Sequence, residues 1–437
     1  MLRMERDAVA SRGNLEDQES GEQTHSPASS HVFHDNTRKA LFWMHLSHEP
    51  FVVLYAIIPF ILRKDLHASL LQISILTTLR PILPVFSFYW SAYLTVRQIS
   101  LRTNLIGAWA FARIPFLFVP WMENAWYLIF CCGVYELFNR SGLPALMEIL
   151  KINIPKETRE KSFTLSFVLS FAESILLGFL MGKFLDRHSA YWPYLCGAAA
   201  LIGLTSIIFQ LRVPIPRQSI LPIDGKKNSF RQSAIQPWKD ALNLLQKERD
   251  FAHFQYGFMI GGISLMLVAP SLSIYYVDQL HLNHSDVVTG RSILMGFGII
   301  SSSFIWRRFL ARQNVPSLVR WILTGFSLYL FSMILSSIHI FWFYASCFCY
   351  GIAQAGSHLL WNLSGMLFSG SEDSSPYTRV NILMVGIRGA IAPAMGGLLC
   401  DYFGPIPVLM IGGAICLSGV GYMVKGYEPI RNVGQKI

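Results

Sequence analysis

The chain has 437 residues, of which 52% are hydrophobic, 14% aromatic and only 14% charged, with a net charge of +10. A soluble globular chain carries about 25% charged residues, so this composition leaves too little charge for a water-facing surface and lipid is the expected solvent. The positive balance does not by itself call for nucleic acid, and no nucleic-acid partner is expected.

Residues 1–38, including "SRGNLEDQESGEQTHSPASSHVFHDNTRK", are polar and show no apolar period. Such a segment cannot bury enough surface to fold alone, so a disordered cytoplasmic tail is expected. With no apolar core ahead of the first span, it is not a signal peptide. From residue 41, long apolar runs alternate with short polar breaks. They lie at about 41–62, 68–94, 103–120, 124–150, 162–182, 191–211, 251–277, 285–306, 316–337, 339–367, 377–400 and 406–424. Helices of about 20 residues cross about 30 Å of hydrocarbon. The continuous runs lack the ten-residue alternation of barrel strands. The prediction is an all-α polytopic membrane protein with twelve transmembrane helices.

With the N-terminus in the cytoplasm, 27 Lys and Arg fall in inside segments and 4 in outside loops (Arg63, Lys64, Lys183 and Arg187). The remaining five, Arg80, Arg113, Arg140, Arg291 and Arg388, lie within spans. This asymmetry predicts a multi-pass protein of the inner or plasma membrane with both termini cytoplasmic. All seven cysteines (131, 132, 196, 347, 349, 400 and 416) fall within spans, where they read as small packing residues rather than disulfide or zinc partners.

The inside loop 213–250 divides the chain into an N-terminal six-helix bundle (39–212) and a C-terminal one (251–425), followed by a cytoplasmic tail at 426–437. Its end, "QPWKDALNLLQKERDF", spaces Trp238, Ala241, Leu242, Leu245 and Arg249 as an amphipathic helix on the cytoplasmic surface. The halves echo each other. "LHASLLQI" (66–73) matches "LNHSDVVT" (282–289) at an offset of 216, and "GKFLDRH" (182–188) matches "GLLCDYF" (397–403) at 215.

A pseudo-symmetric six-plus-six chain of this kind resembles the major facilitator superfamily over about residues 39–425. The best stretch, "NRSGLPALMEILKINIPKETREKSFTLSFVLSFAESILLGFLMGKFLDR", resembles the family's fourth span, its basic cytoplasmic turn (Ile154, Pro155, Arg159) and its Gly-containing fifth span. The signature between spans two and three keeps Arg97 and Arg102 but has Val96 and Ile99 at its acidic and Gly positions. The second half keeps Arg308 and Arg312, with Arg307 at the acidic position. The antiporter-type G-P-x-x-G-G is missing from span five, and a near copy, "APAMGG" (392–397), stands in span eleven. The resemblance implies alternating access, with spans 1, 4, 7 and 10 lining the cavity and spans 2, 5, 8 and 11 forming the seam between bundles.

Ionisable residues inside spans are functional candidates. His45, His48 and Glu49 stand at i, i+3 and i+4 ahead of Pro50 and are expected to share a face as a proton-coupling group. The bland alternative is a wet cytoplasmic mouth; a metal site matches no established hydrolase spacing. Tyr135, Glu136, Asn139 and Arg140 in span four, Gln354, His358, Trp361 and Asn362 in span ten, and Gln255 and Tyr256 in span seven are the candidate solute-binding residues. Glu136 and Arg140 are also spaced to satisfy each other. At the seam, Glu173 is expected to pair with Arg291 in one access state and to separate from it in the other, and Arg80 to face Arg388 with an anion or a third residue between them. Arg113 is expected to brace its own bundle.

The leading expectation is a monomeric secondary active transporter in the bilayer, moving a small polar solute with H+. Five intramembrane arginines against Glu49, Glu136 and Glu173 tilt the solute toward an anion. A transporter-like sensor is the alternative. A membrane-embedded enzyme is disfavoured because the sequence offers no nucleophile–base pair, metal motif or Walker motif, and no cofactor is implied.

Overall fold

The computed structural model of the protein describes residues 27–96, 101–154, 156–214, 230–312, 315–369 and 375–425. The twelve expected spans are helical, and together they form two six-helix bundles. Span one is Pro27–Lys64, span two Leu70–Val96, span three Leu101–Leu117 and span five Lys156–Arg187. Span four is broken into Ala125–Ser141 and Leu143–Asn153, and span six into Trp192–Thr205 and Ile207–Gln210. In the second half, span seven is Arg249–Ile274 with a wider π turn to Gln279. Span eight runs from His284 through a second π turn (Thr289–Leu294) to Arg312. Spans nine to twelve are Val315–Ile334, Ile340–Ser369, Ser375–Phe403 and Pro405–Lys425. Among the described residues, seven helices are long and apolar enough to cross a bilayer on composition alone.

Span one begins earlier than expected. Residues 27–38 are helical, and Thr37 is buried, its hydroxyl accepting a 2.9 Å bond from Asn153 Nδ2. A polar segment that cannot fold alone folds here because a helix already running through the membrane extends it and span four gives it a partner. The rest of the tail (1–26), the C-terminal tail, the first part of the linker, Arg97 and Pro155 lie outside the described residues.

The linker helix is Phe230–Lys247. Its Ala241, Leu244 and Leu245 pack on the C-terminal bundle, whereas Trp238 and Leu242 are exposed. Of the apolar stripe read from the sequence, only part meets the protein.

The repeat is visible bond for bond in the first loop of each half. Leu66 N and Ala68 N donate to Ile61 O and Leu62 O, as Leu280 N and Leu282 N donate to Tyr275 O and Tyr276 O. His67 and His281 both adopt a left-handed backbone with φ 50°. Ser69 with Gln72 caps span two, as Asn283 with Asp286 caps span eight. Every one of these pairs is separated by 214 positions, so the register of 216 read from letter identity is off by two. Caps and turns are conformational, and Ser and Asn perform the same one.

The seam is built where helices approach closely. A Cβ on Gly182 of span five would lie 3.0 Å from the Ser285 backbone of span eight, and one on Gly389 of span eleven would overlap Pro81 of span two. Small residues at crossings let backbones meet without any hydrophobic drive from lipid.

The buried core is shared on one face and divided on the other. One cluster runs from Leu54, Ile58 and Leu62 of the first half to Leu272, Tyr276 and Val288 of the second. Toward the face that carries the linker and helix ends 27 and 425, separate clusters form. Ala40, Met44, Leu105 and Ile149 belong to the first half, and Phe254, Leu318, Leu360 and Met423 to the second. The halves are therefore joined at the far face and part toward the linker face.

Candidate solute site and far-face closure

In the first half a polar chain crosses four helices. Tyr55 of span one donates its hydroxyl to Glu136 Oε1 of span four at 2.8 Å. Arg80 of span two donates from Nη2 to the Tyr55 carbonyl at 2.8 Å, with its guanidinium 4.4 Å from the centre of the Tyr55 ring. Tyr55 and Tyr135 rings meet at 4.5 Å. The Tyr135 hydroxyl lies 3.3 Å from His48 Nε2, and Arg113 Nη2 of span three lies 2.9 Å from His48 Nδ1. Arg113 is fully buried against Trp109, its guanidinium 3.5 Å from the ring centre, and it also donates to the Trp109 carbonyl at 2.9 Å.

This geometry revises several expectations. Arginine only donates, so His48 Nδ1 must be an acceptor and Nε2 carries the proton toward Tyr135. In this arrangement His48 is a neutral imidazole that anchors Arg113. The expected face of His45, His48 and Glu49 is divided. His45 and His48 line a cavity of about 150 Å³ between spans one, three and four, together with Trp109, Arg113 and Asn139. Glu49 instead accepts 2.9 Å from Ser174 Oγ of span five, within electrostatic range of Glu173. Glu136 makes no contact ion pair with Arg140, though it lies within electrostatic range of it; its hydrogen-bond partner is Tyr55, and the charge of Arg80 is nearer.

In the state described here Glu173 and Arg291 are not paired. Glu173 Oε2 is buried without a hydrogen-bond partner, and Arg291 lies among Tyr276, Tyr329, Tyr350 and Cys347 of its own half. Arg80 and Arg388 do not face one another. Arg388 donates from Nη1 to the Phe258 carbonyl of span seven at 3.2 Å, inside the second half. Long guanidinium side chains reach backbone acceptors that helical spacing cannot reveal.

In the second half, Phe258 stacks on Trp361 at 6.0 Å and has the Arg388 guanidinium 5.7 Å from its ring centre. A Cβ on Gly262 would overlap that guanidinium, so the glycine is what makes room for it. Gln354 Nε2 and His358 Nε2 lie 3.0 Å apart. His358 is exposed and within electrostatic range of Arg140, itself exposed on span four of the other half. Gln255 is buried and donates from Nε2 to Asn381, which in turn donates to Ser364. Tyr256 is 49% exposed on the side of Tyr422 in span twelve, not toward the other half. The Asn362 side chain lies outside the described ones.

On the far face, side chains that sequence reasoning missed tie the halves together. Arg63 makes a two-pronged ion pair with Asp278, Nε at 3.0 Å from Oδ1 and Nη2 on Oδ2. Lys64 Nζ donates to the Leu282 carbonyl at 3.0 Å. Asp186, at the end of span five, accepts from the backbone N–H of His284 (2.8 Å) and of Ser285, and so caps span eight from the opposite half. The signal was present in the clustering of Arg63 and Lys64, which are two of only four basic residues in that face's loops.

Among the described residues, no three His, Cys, Asp or Glu side chains gather as a metal site. All seven cysteines are free; six are buried and Cys349 is half-buried.

Two helical bundles about a seam, closed at one end with polar side chains between them, define a membrane transporter of the secondary type. The chain belongs to the Major Facilitator Superfamily, whose family model matches residues 50–378. Its fold is similar to that of the nucleoside transporter NupG (TM-score 0.67, 12% identity, covering 91% of this chain and 100% of that one). It is also similar to the peptide transporter POT in complex with alafosfalin (0.66, 11%, 95% and 97%). A D-xylose–proton symporter is a further similar structure (0.65, 13%, 93% and 100%). No curated protein sequence matched the chain.

Proposed function

We propose that the protein is a proton-coupled carrier of a small anionic solute, working as a monomer in a cell membrane with both termini in the cytoplasm. On this reading the linker face, toward which the cores of the two halves separate, is the cytoplasmic one. The observation that supports the proposal is the set of intramembrane arginines: Arg80 beside the Glu136 carboxylate in the first half, Arg388 in the second, and Arg140 within electrostatic range of His358 across the halves. Arg80 and Arg388 are each fixed by a backbone carbonyl and an aromatic ring, which presets them for an incoming anion. Trp361 and Phe258 add an aromatic wall on which a planar or apolar part of the solute can rest.

Coupling is assigned to Glu49 with Glu173. Two neighbouring carboxylates can share one proton, and this pair lies between spans one and five, beside the seam that rearranges during alternating access. The test is Glu49→Gln in proteoliposomes, using an anion chosen by thermal-shift screening. Solute exchange should survive while accumulation driven by a pH gradient is lost. Gradient-driven uptake equal to that of the unmodified protein would remove Glu49 from the mechanism. If no anion stabilises or exchanges, the solute class is wrong.

A further inference from the structure

Inside the first half, away from the seam, a buried cation stands without a counter-charge. Arg113 of span three is fully buried. Its Nη2 meets His48 Nδ1 at 2.9 Å, and its Nη1 donates to the Trp109 carbonyl at 2.9 Å. The guanidinium lies 3.5 Å from the centre of the Trp109 ring. Nε has no hydrogen-bond partner and packs against Gly203 of span six. These contacts supply dipoles and a ring face, which ease the charge without cancelling it. Among the described residues no carboxylate touches Arg113. A buried charge left unpaired is costly, and an anion brought against it offsets that cost.

The same arginine lines the cavity of about 150 Å³ between spans one, three and four. His48, Trp109 and Asn139 stand on the same wall, whereas Met44, Leu105 and Phe138 make an apolar one. Asn139 is half-buried, so the cavity is not sealed off. We propose that this cavity binds a small monocarboxylate with a compact apolar body, at a site separate from the solute site between the halves. The carboxylate group answers Arg113, with the Asn139 amide as a further donor, and the apolar body rests on Met44, Leu105 and Phe138. Sites for drug-sized ligands run to about 300–1,000 Å³. This smaller one admits a single ring or a short branched chain and excludes a nucleotide or a peptide.

The pseudo-symmetric place in the second half shows that the fold does not need the charge. At the offset of 214, Arg113 corresponds to Ser327, whose hydroxyl donates to the Gly413 carbonyl at 3.1 Å. Trp109 corresponds to Leu323 and Asn139 to Ala353, both buried in the apolar core there. Neutral packing closes this part of the bundle in one half, and a cation beside a cavity occupies it in the other.

The experiment reads binding and not transport, so it stands apart from the identity of the solute. Equilibrium binding of radiolabelled benzoate to the purified full chain should be saturable. Benzamide, of the same size without the charge, should compete at least about ten-fold more weakly. Arg113→Gln should weaken benzoate at least about ten-fold. Ala108→Leu, which fills the cavity and leaves the bonds of Arg113 in place, should do the same. Arg388→Gln should change the affinity less than about two-fold. No saturable binding to the unmodified protein, or equal competition by benzamide, overturns the proposal. Benzoate binding that survives Arg113→Gln but is lost in Arg388→Gln overturns it too, because the probe then reports the site between the halves. If Arg113→Gln does not fold, Ala108→Leu decides: lost affinity supports the site, and retained affinity refutes it.

Discussion

Tyr55→Phe removes one oxygen from the polar chain of the first half and leaves everything else in place. The ring that carries Arg80 at 4.4 Å and meets Tyr135 at 4.5 Å is unchanged, and so is the Tyr55 carbonyl that accepts from Arg80. What is lost is the 2.8 Å bond to Glu136 Oε1. A hydrogen bond to a charged acceptor contributes about 1.5–3 kcal/mol. Glu136 is only partly buried and water replaces some of the loss, so a cost of about 1–2 kcal/mol is expected. The assay is reversible unfolding in mixed detergent, run as a cycle over Tyr55→Phe, Glu136→Ala and the double variant. The two changes should be non-additive by about 1 kcal/mol or more, because each removes the same bond. Additivity within about 0.5 kcal/mol would mean that the hydroxyl and carboxylate act independently, and the polar chain would lose its central link.

Gly262→Ala should push Arg388 off the Phe258 carbonyl and weaken binding of an anionic solute by about ten-fold or more, the loss expected for about 1.4 kcal/mol; Gly421→Ala, with open space around it, should bind normally in the same titration. His48→Leu removes an acceptor from the buried Arg113 and should lower the unfolding midpoint, since a hydrogen bond to a charged group contributes about 1.5–3 kcal/mol. His48→Gln, whose amide can both accept from Arg113 and donate to Tyr135, should recover most of that stability and retain proton-driven uptake, in contrast to Glu49→Gln. Gly389→Leu should spread spans two and eleven at Pro81 and impair transport beyond what its effect on expression explains, which uptake normalised to surface protein would check.

The all-α, multi-pass character of the chain was legible because hydrocarbon imposes length and apolarity on each helix directly. The seam glycines were legible in outline as the repeat at 182 and 397. Partner choice was not. Helical spacing places Glu136 and Arg140 on one face, but the neighbour that Glu136 meets, Tyr55, is 81 positions away and depends on how span one is rolled. The same roll turns Glu49 to Ser174 and His48 to Arg113, although they are adjacent in the chain. Arg388 ends on a backbone carbonyl, an acceptor that every residue carries and no letter marks. The far-face tie was missed for another reason: Asp186, Asp278 and His284 lie at helix ends, where charges look solvated until the opposite half is brought against them.

Proteoliposomes loaded with a pH-sensitive dye test the central claim most directly. Nucleotides, small carboxylates, sugar phosphates, acidic peptides and neutral sugars are added outside in turn, and the internal pH is followed. An anionic class should acidify the lumen, and Glu49→Gln should abolish the proton movement while leaving counterflow of the same solute. Proton movement with neutral sugars alone, or solute uptake with no change of internal pH, would contradict a proton-coupled anion carrier.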